Sequence, residues 1–131
     1  MARNWGIIGY GEIAPSVIEA VRSNSDSRIV AIASISGYEN FVKNREYVDA
    51  SIYRAYQELL ADEAVEIVYV CTTNQLHFSN VKAALNAGKH VLCEKPMTPS
   101  LKETAQLSEL AKMKGLLLIE GKWTRFLPAY G

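Results

Sequence analysis

Trp5-Gly6-Ile7-Ile8-Gly9-Tyr10-Gly11-Glu12-Ile13-Ala14 is the stretch from which the architecture of this chain is read. Its first four residues form a short apolar run, as a buried strand requires. Beyond the glycines, Ile13, Val17, Ala20 and Val21 fall on one face at helical spacing and predict a helix over 13–23. Strand and helix are joined by G-x-G-x-x-A, and each small residue in it has a physical reason. Gly9 permits the tight turn, Gly11 keeps a side chain out of the space above the backbone, and Ala14 lets helix and strand pack closely. The helix start offers free N–H groups and the positive end of its dipole, which suits phosphate.

Working outward, short apolar runs alternate with amphipathic segments. Strands are predicted over 28–33, 52–53, 67–71, 90–93 and 116–119. Helices are predicted over 38–46, 56–60, 78–87 and 100–114. Gly88 and Gly115 sit just past two of them, where a left-handed residue ends a helix. Ser100 with Glu103 three residues later reads as a capping box. The run Ile67-Val68-Tyr69-Val70-Cys71 is apolar on both faces, as in parallel strands covered by helices on both sides. Alternating β and α elements with right-handed crossovers give an α/β fold, a doubly wound parallel sheet. In that setting the glycine turn is the fingerprint of an NAD(P)-binding Rossmann fold.

The composition limits the alternatives. Fourteen Lys and Arg balance fourteen Asp and Glu, which argues against a nucleic-acid or anionic-membrane partner. The same balance gives little repulsion between copies, so a homo-oligomer is compatible with it. No apolar run reaches the ~20 residues of a membrane span, and Met1-Ala2-Arg3-Asn4 lacks the apolar core of a secretory signal. Cys71 and Cys93 are too few for a disulfide framework, and with His77 and His90 they form no metal spacing. A cytoplasmic setting is the expectation, with no metal.

Cofactor choice is read at the end of the second strand. An acid about twenty residues past the glycine turn normally bonds the ribose 2′-hydroxyl of NAD. Here the local sequence is Ser34-Ile35-Ser36-Gly37-Tyr38, with no acid before Glu39 and no Arg nearby. Serine hydroxyls without a carboxylate lean toward NADP.

Two further stretches carry a resemblance. Cys71-Thr72-Thr73-Asn74-Gln75-Leu76-His77 ends the fourth strand, and Ala87-Gly88-Lys89-His90-Val91-Leu92-Cys93-Glu94-Lys95-Pro96 contains the fifth. With Gly9-Tyr10-Gly11 they resemble the glucose–fructose oxidoreductase / inositol dehydrogenase / MocA family along essentially the whole chain. Trp123-Thr124-Arg125-Phe126-Leu127-Pro128 looks like the subgroup with dimeric dihydrodiol dehydrogenases and some sugar dehydrogenases. The family usually has Pro where Thr73 stands.

The resemblance implies an oxidoreductase acting on a small-molecule substrate, a sugar, polyol or diol, by hydride transfer. It makes Lys95 the catalytic residue, near the nicotinamide and the reacting oxygen. A lysine there can hydrogen-bond a developing alkoxide or relay the hydroxyl proton as hydride leaves. The cofactor would be held by Gly9, Tyr10, Gly11, Glu12 and Ile13 of the turn, with the Glu12 carboxylate toward solvent, and by Ser34. Thr72, Thr73 and Asn74 lie at the open strand edge, and His77 reads as a helix-start contact rather than a base. Glu94 would bond the ribose or carboxamide region, Lys95 the reacting end, and Pro96 would fix the turn. Trp123 and Arg125 reach either the ligands or a domain contact. The dinucleotide-binding domain is placed at 1–122, with 123–131 as the start of a crossing to a C-terminal substrate domain that this sequence lacks. Two functions fit: the cofactor part of an oxidoreductase, and a free-standing NAD(P)-binding or sensing module.

Overall fold

The computed structural model describes residues 3–9, 19, 21, 23, 26–34, 50–72, 74–94 and 100–121, and for 74, 75, 94 and 120 the backbone alone. Six strands are defined: β1 (Arg3–Ile8), β2 (Ser27–Ala33), β3 (Ser51–Tyr53), β4 (Ile67–Val70), β5 (His90–Glu94) and β6 (Leu118–Gly121). They form one sheet in the order β3-β2-β1-β4-β5-β6, and every pairing is parallel. Three helices follow from the sequence pattern: α1 (Tyr56–Leu60), α2 (Asn74–Asn86) and α3 (Leu101–Lys114). The doubly wound α/β architecture is therefore the one expected. The helix predicted over 38–46 lies outside the described residues, as does most of that over 13–23. Within the latter, Glu19 and Val21 are helical, and the Ser23 N–H donates to the Glu19 carbonyl at 3.0 Å.

Both sheet faces are buried, which is why the central strands read as continuous apolar runs. One face gathers Ile8, Val68, Val70, Val91 and Cys93 under Leu59 of α1, Val81, Ala84 and Leu85 of α2, and Leu107 and Ala111 of α3. The other gathers Ile7, Ile29, Ile32, Tyr69, Cys71 and Leu92 with Val21. Ile29 and Ile32 share a face although three residues apart, against the two-residue alternation of a strand. The register supplies the reason: Trp5 pairs with Ile29 but Gly6 with Ala31, so Val30 is an inserted residue that resets the phase.

Of the boundaries that differ from expectation, two have a clear physical cause. α2 starts at Asn74, four residues before the predicted 78, because His77 already packs inward on the face continued by Val81, Ala84 and Leu85. β6 begins at Leu118 rather than 116. Gly115 adopts φ +67°, and the Leu116 N–H turns back to the Ala111 carbonyl at 2.9 Å, closing α3 in a Schellman-type end. Leu117 then donates its N–H to His90 Nδ1 at 3.0 Å before the ladder begins. At the other end of α3, the Ser100 hydroxyl accepts the Glu103 N–H at 3.3 Å, the expected N-cap bond.

Candidate cofactor site

In this strand order the connections diverge between β1 and β4: the chain leaves β1 toward β2 and leaves β4 toward β5. The carboxyl ends of β1 and β4 therefore lie at the topological switch point, the place where doubly wound sheets bind ligands. Gly9 follows β1 and Thr72 lies just past β4, while Ser34 follows β2 and Glu94 ends β5. Four residues far apart in sequence thus come to one edge.

Gly9 is held in the left-handed region at φ +84°. Its N–H donates to the Ala33 carbonyl at 2.9 Å, so the turn is pinned to β2 as the strand ends. A Cβ on Gly9 would stand 2.7 Å from the Thr72 methyl, 3.0 Å from the Thr72 nitrogen and 3.1 Å from the Cys71 carbonyl carbon. The residue thus needs glycine twice over, for its φ and for the approach of a second backbone. The partner turn is fixed in its own right: the Cys71 N–H donates to the Ile8 carbonyl at 2.9 Å, and its thiol reaches the same oxygen at 3.4 Å.

Thr72 is gripped from α2. His77, 1% exposed in the first turn of that helix, places Nε2 2.9 Å from the Thr72 carbonyl oxygen. A carbonyl only accepts, so His77 carries its proton on Nε2 in this bond. One turn further, Asn80 donates Nδ2 to the Thr72 hydroxyl at 3.0 Å. The helix-start role expected for His77 is thus a contact to the backbone of the strand end. Asn80 was not singled out by the sequence; its three-residue spacing from His77 on one helix face was the available signal.

Ser34 is 2% exposed, and its N–H continues the sheet by donating to the Tyr53 carbonyl at 3.1 Å. The Tyr53 hydroxyl donates to Asp62 Oδ2 at 2.8 Å. That bond to the carboxylate, with partial burial behind it, raises the phenol above its usual range. Burial does the same for Tyr56 in the first turn of α1. Cys71 and Cys93 are buried thiols in the core, not surface nucleophiles. Tyr10, Gly11, Glu12, Ile13, Thr73, Lys95, Pro96, Trp123 and Arg125 lie outside the described residues, as do the side chains of Asn74 and Glu94.

The arrangement fits a dinucleotide. A positive-φ glycine with no room for a Cβ ends β1 at the switch point, and a braced turn faces it from β4. An apolar groove of about 300 Å³, lined by Trp5, Ile67, His90, Leu92, Leu117 and Ile119 among others, lies away from that edge and includes none of its residues. Among the described residues no cluster of three His, Cys, Asp or Glu side chains offers a metal site. Among them, too, no helix is long and apolar enough to cross a membrane.

Comparison with known proteins agrees with the geometry. The sequence profile of an oxidoreductase family with an NAD-binding Rossmann fold matches residues 3–122. D-xylose 1-dehydrogenase (NADP(+)) of Hypocrea jecorina is 43% identical over 95% of this chain and 35% of its own length. Trans-1,2-dihydrobenzene-1,2-diol dehydrogenase of Sus scrofa is 37% identical over 98% of the chain and 39% of its own. This chain therefore spans less than two-fifths of these curated relatives. Among solved structures, a 3-ketoreductase from Actinomadura kijaniata in complex with NADP and TDP-benzene superposes with a TM-score of 0.83. It is 31% identical, over 92% of this chain and 37% of that one. Biliverdin reductase from Synechocystis, in complex with biliverdin and NADP+, gives a TM-score of 0.79 at 30% identity, over 89% and 37%. With sheet order, glycine turn and sequence profile in agreement, this chain belongs to the glucose–fructose oxidoreductase / inositol dehydrogenase / MocA family of oxidoreductases, as its NAD(P)-binding Rossmann domain.

Proposed function

We propose that this domain holds NADP for an oxidoreductase that oxidises or reduces a CH–OH carbon of a sugar, polyol or diol. The observation that carries the reading is the meeting of Gly9 and Thr72 at the switch point of the sheet, with β5 ending at Glu94 directly before Lys95. NADP is favoured because neither Ser34 nor Ile35 is an acid. The xylose dehydrogenase relative carries NADP in its name, and two similar structures hold it.

In this reading the turn Gly9, Tyr10, Gly11, Glu12 and Ile13 faces the phosphates, and Ser34 marks the adenosine ribose. Thr72, Thr73, Asn74 and His77 build the β4 side. Glu94 and Pro96 set the loop that presents Lys95, and Trp123 and Arg125 belong to the crossing that begins after residue 122. NADP supplies the hydride acceptor or donor when bound. In oxidation the neutral Lys95 amine would accept the hydroxyl proton as hydride leaves the carbon, and in reduction the Lys95 ammonium would hydrogen-bond the carbonyl oxygen and return that proton to it. The substrate, a small molecule, is closed in by a further domain of the kind that fills the rest of the relatives' length.

Parallel equilibrium titrations of the chain with NADPH and NADH, followed by fluorescence, test the cofactor half. Tighter NADPH binding is expected; binding of neither overturns the reading. In a protein carrying the downstream domain, Lys95→Ala should abolish most turnover on D-xylose or a dihydrodiol while cofactor affinity changes little. Full turnover in that variant removes Lys95 from the chemistry.

A further inference from the structure

We propose that His77 and Asn80 are positioning residues for the cofactor, acting from inside α2 through Thr72 on the glycine turn. The proposal rests on the dinucleotide reading of this edge and adds residues that touch the cofactor only at second hand. Thr72 is the hub. Its carbonyl is held by His77 Nε2 at 2.9 Å and its hydroxyl by Asn80 Nδ2 at 3.0 Å. Its methyl and nitrogen lie where the Gly9 side chain would be, at 2.7 and 3.0 Å. Two polar bonds on one side and a steric stop on the other leave the strand end a single position against β1.

The burial separates this from a surface contact. His77 is 1% exposed, so water does not replace its bond when the turn shifts. A loose Thr72 would let the β1 and β4 turns move apart, and a phosphate site built from backbone N–H groups depends on their spacing. The helix is thus more than a lid on the core: its first two turns reach back to set the ligand edge. His77 supplies one donor at Nε2, a reach that the amide nitrogen of Gln approximates and that of Asn does not. This gives the test a conservative rescue.

NADPH titrations on the 131-residue chain, with urea unfolding of each variant, decide the matter. His77→Leu should weaken NADPH binding about tenfold, the equivalent of one hydrogen bond's worth of geometry. His77→Gln should restore affinity to within about threefold, and His77→Asn should not. Asn80→Ala should weaken binding about threefold. Lys89→Met is the control: it removes buried bonds at the far end of β4, from Nζ to the carbonyls of Asp62 and Val65. It should lower stability and leave NADPH affinity unchanged. A folded His77→Leu chain with unchanged affinity overturns the proposal. If His77→Leu does not fold, unchanged affinity in Asn80→Ala overturns it instead. Failure of the unmodified chain to bind NADPH or NADH is a different result, and it removes the dinucleotide reading itself.

Discussion

The backbones of Gly9 and Thr72, sixty-three residues apart, are packed so closely that a single carbon added to Gly9 would stand 2.7 Å from the Thr72 methyl. Glycine here is a spacing element between two strand ends as much as a turn former. Gly9→Ala should therefore do two things: force a non-glycine residue to φ +84° and push the β4 turn outward. Unfolding free energy should fall by about 1–3 kcal/mol, read by urea denaturation. NADPH affinity of the folded fraction should fall with it.

Gly11→Val belongs to a different mechanism. In the G-x-G-x-x-A reading, a side chain at Gly11 enters the space of the pyrophosphate itself. Cofactor affinity should drop well beyond tenfold, more than ~1.4 kcal/mol. Isothermal titration of the folded variant checks it, and unchanged affinity would remove the phosphate assignment of the turn.

On the proposed reading, cofactor preference is set where β2 ends. Ile35→Asp should shift the chain toward NADH, through a bond to the ribose 2′-hydroxyl and repulsion of a 2′-phosphate. The ratio of the two dissociation constants, measured before and after, reads this directly. A ratio that stays put would place the 2′ position elsewhere.

Lys89 is 7% exposed and spends its charge on two carbonyls, Asp62 at 2.9 Å and Val65 at 2.8 Å. These bonds close the loop between α1 and β4. Lys89→Met keeps the aliphatic stem but removes both bonds, leaving the Asp62 oxygen with only the Val65 N–H at 3.2 Å, and should cost about 1–3 kcal/mol of stability in urea. Recovery of full stability in that variant would mean that solvent reaches the two carbonyls.

Glu66 ties the start of β1 to the start of β4. Oε2 accepts the Asn4 N–H at 3.0 Å, and Oε1 accepts from Arg3 at 3.2 Å. The backbone bond from Asn4 first, and the Arg3 contact after it, hold the carboxyl below its ordinary value of 4.5. A carboxyl depressed on folding contributes stability above its unfolded pKa and loses it as pH falls through the folded one. The urea midpoint should therefore fall on acidification from about pH 5 downward. Glu66→Gln should flatten that part of the profile.

Much of this fold is legible in the sequence because its signals are local. A β-branched run marks β4, a short apolar run marks β5, and helical spacing with Ser100 and Gly115 marks α3 at both ends. What escapes has a physical reason in each case. The Val30 insertion is invisible because the run from Ile29 to Ala33 is apolar throughout and carries no phase to break. Leu116 and Leu117 look like strand but are consumed by the helix end and by His90. At the site, Gly9 announces its turn, yet its second constraint comes from Thr72, and no local pattern encodes a contact across that distance. His77 is conspicuous as a residue type, while its partner is a backbone oxygen, which every residue has.

The parallel register of the sheet also governs the order in which it can be made. β1 has β2 on one side, with Trp5 opposite Ile29, and β4 on the other, with Trp5 opposite Ile67. These closures span 24 and 62 residues, and the longer one costs about 0.8 kcal/mol more chain entropy. Of the six strands β1 is synthesised before the others, and it keeps a bare edge until β4 arrives. Pairing of that edge is what brings Thr72 to Gly9. If the dinucleotide binds at this edge, its binding reports the longer of the two closures that β1 makes, and a dinucleotide present during refolding should favour the β1–β4 pairing rather than the β1–β2 pairing.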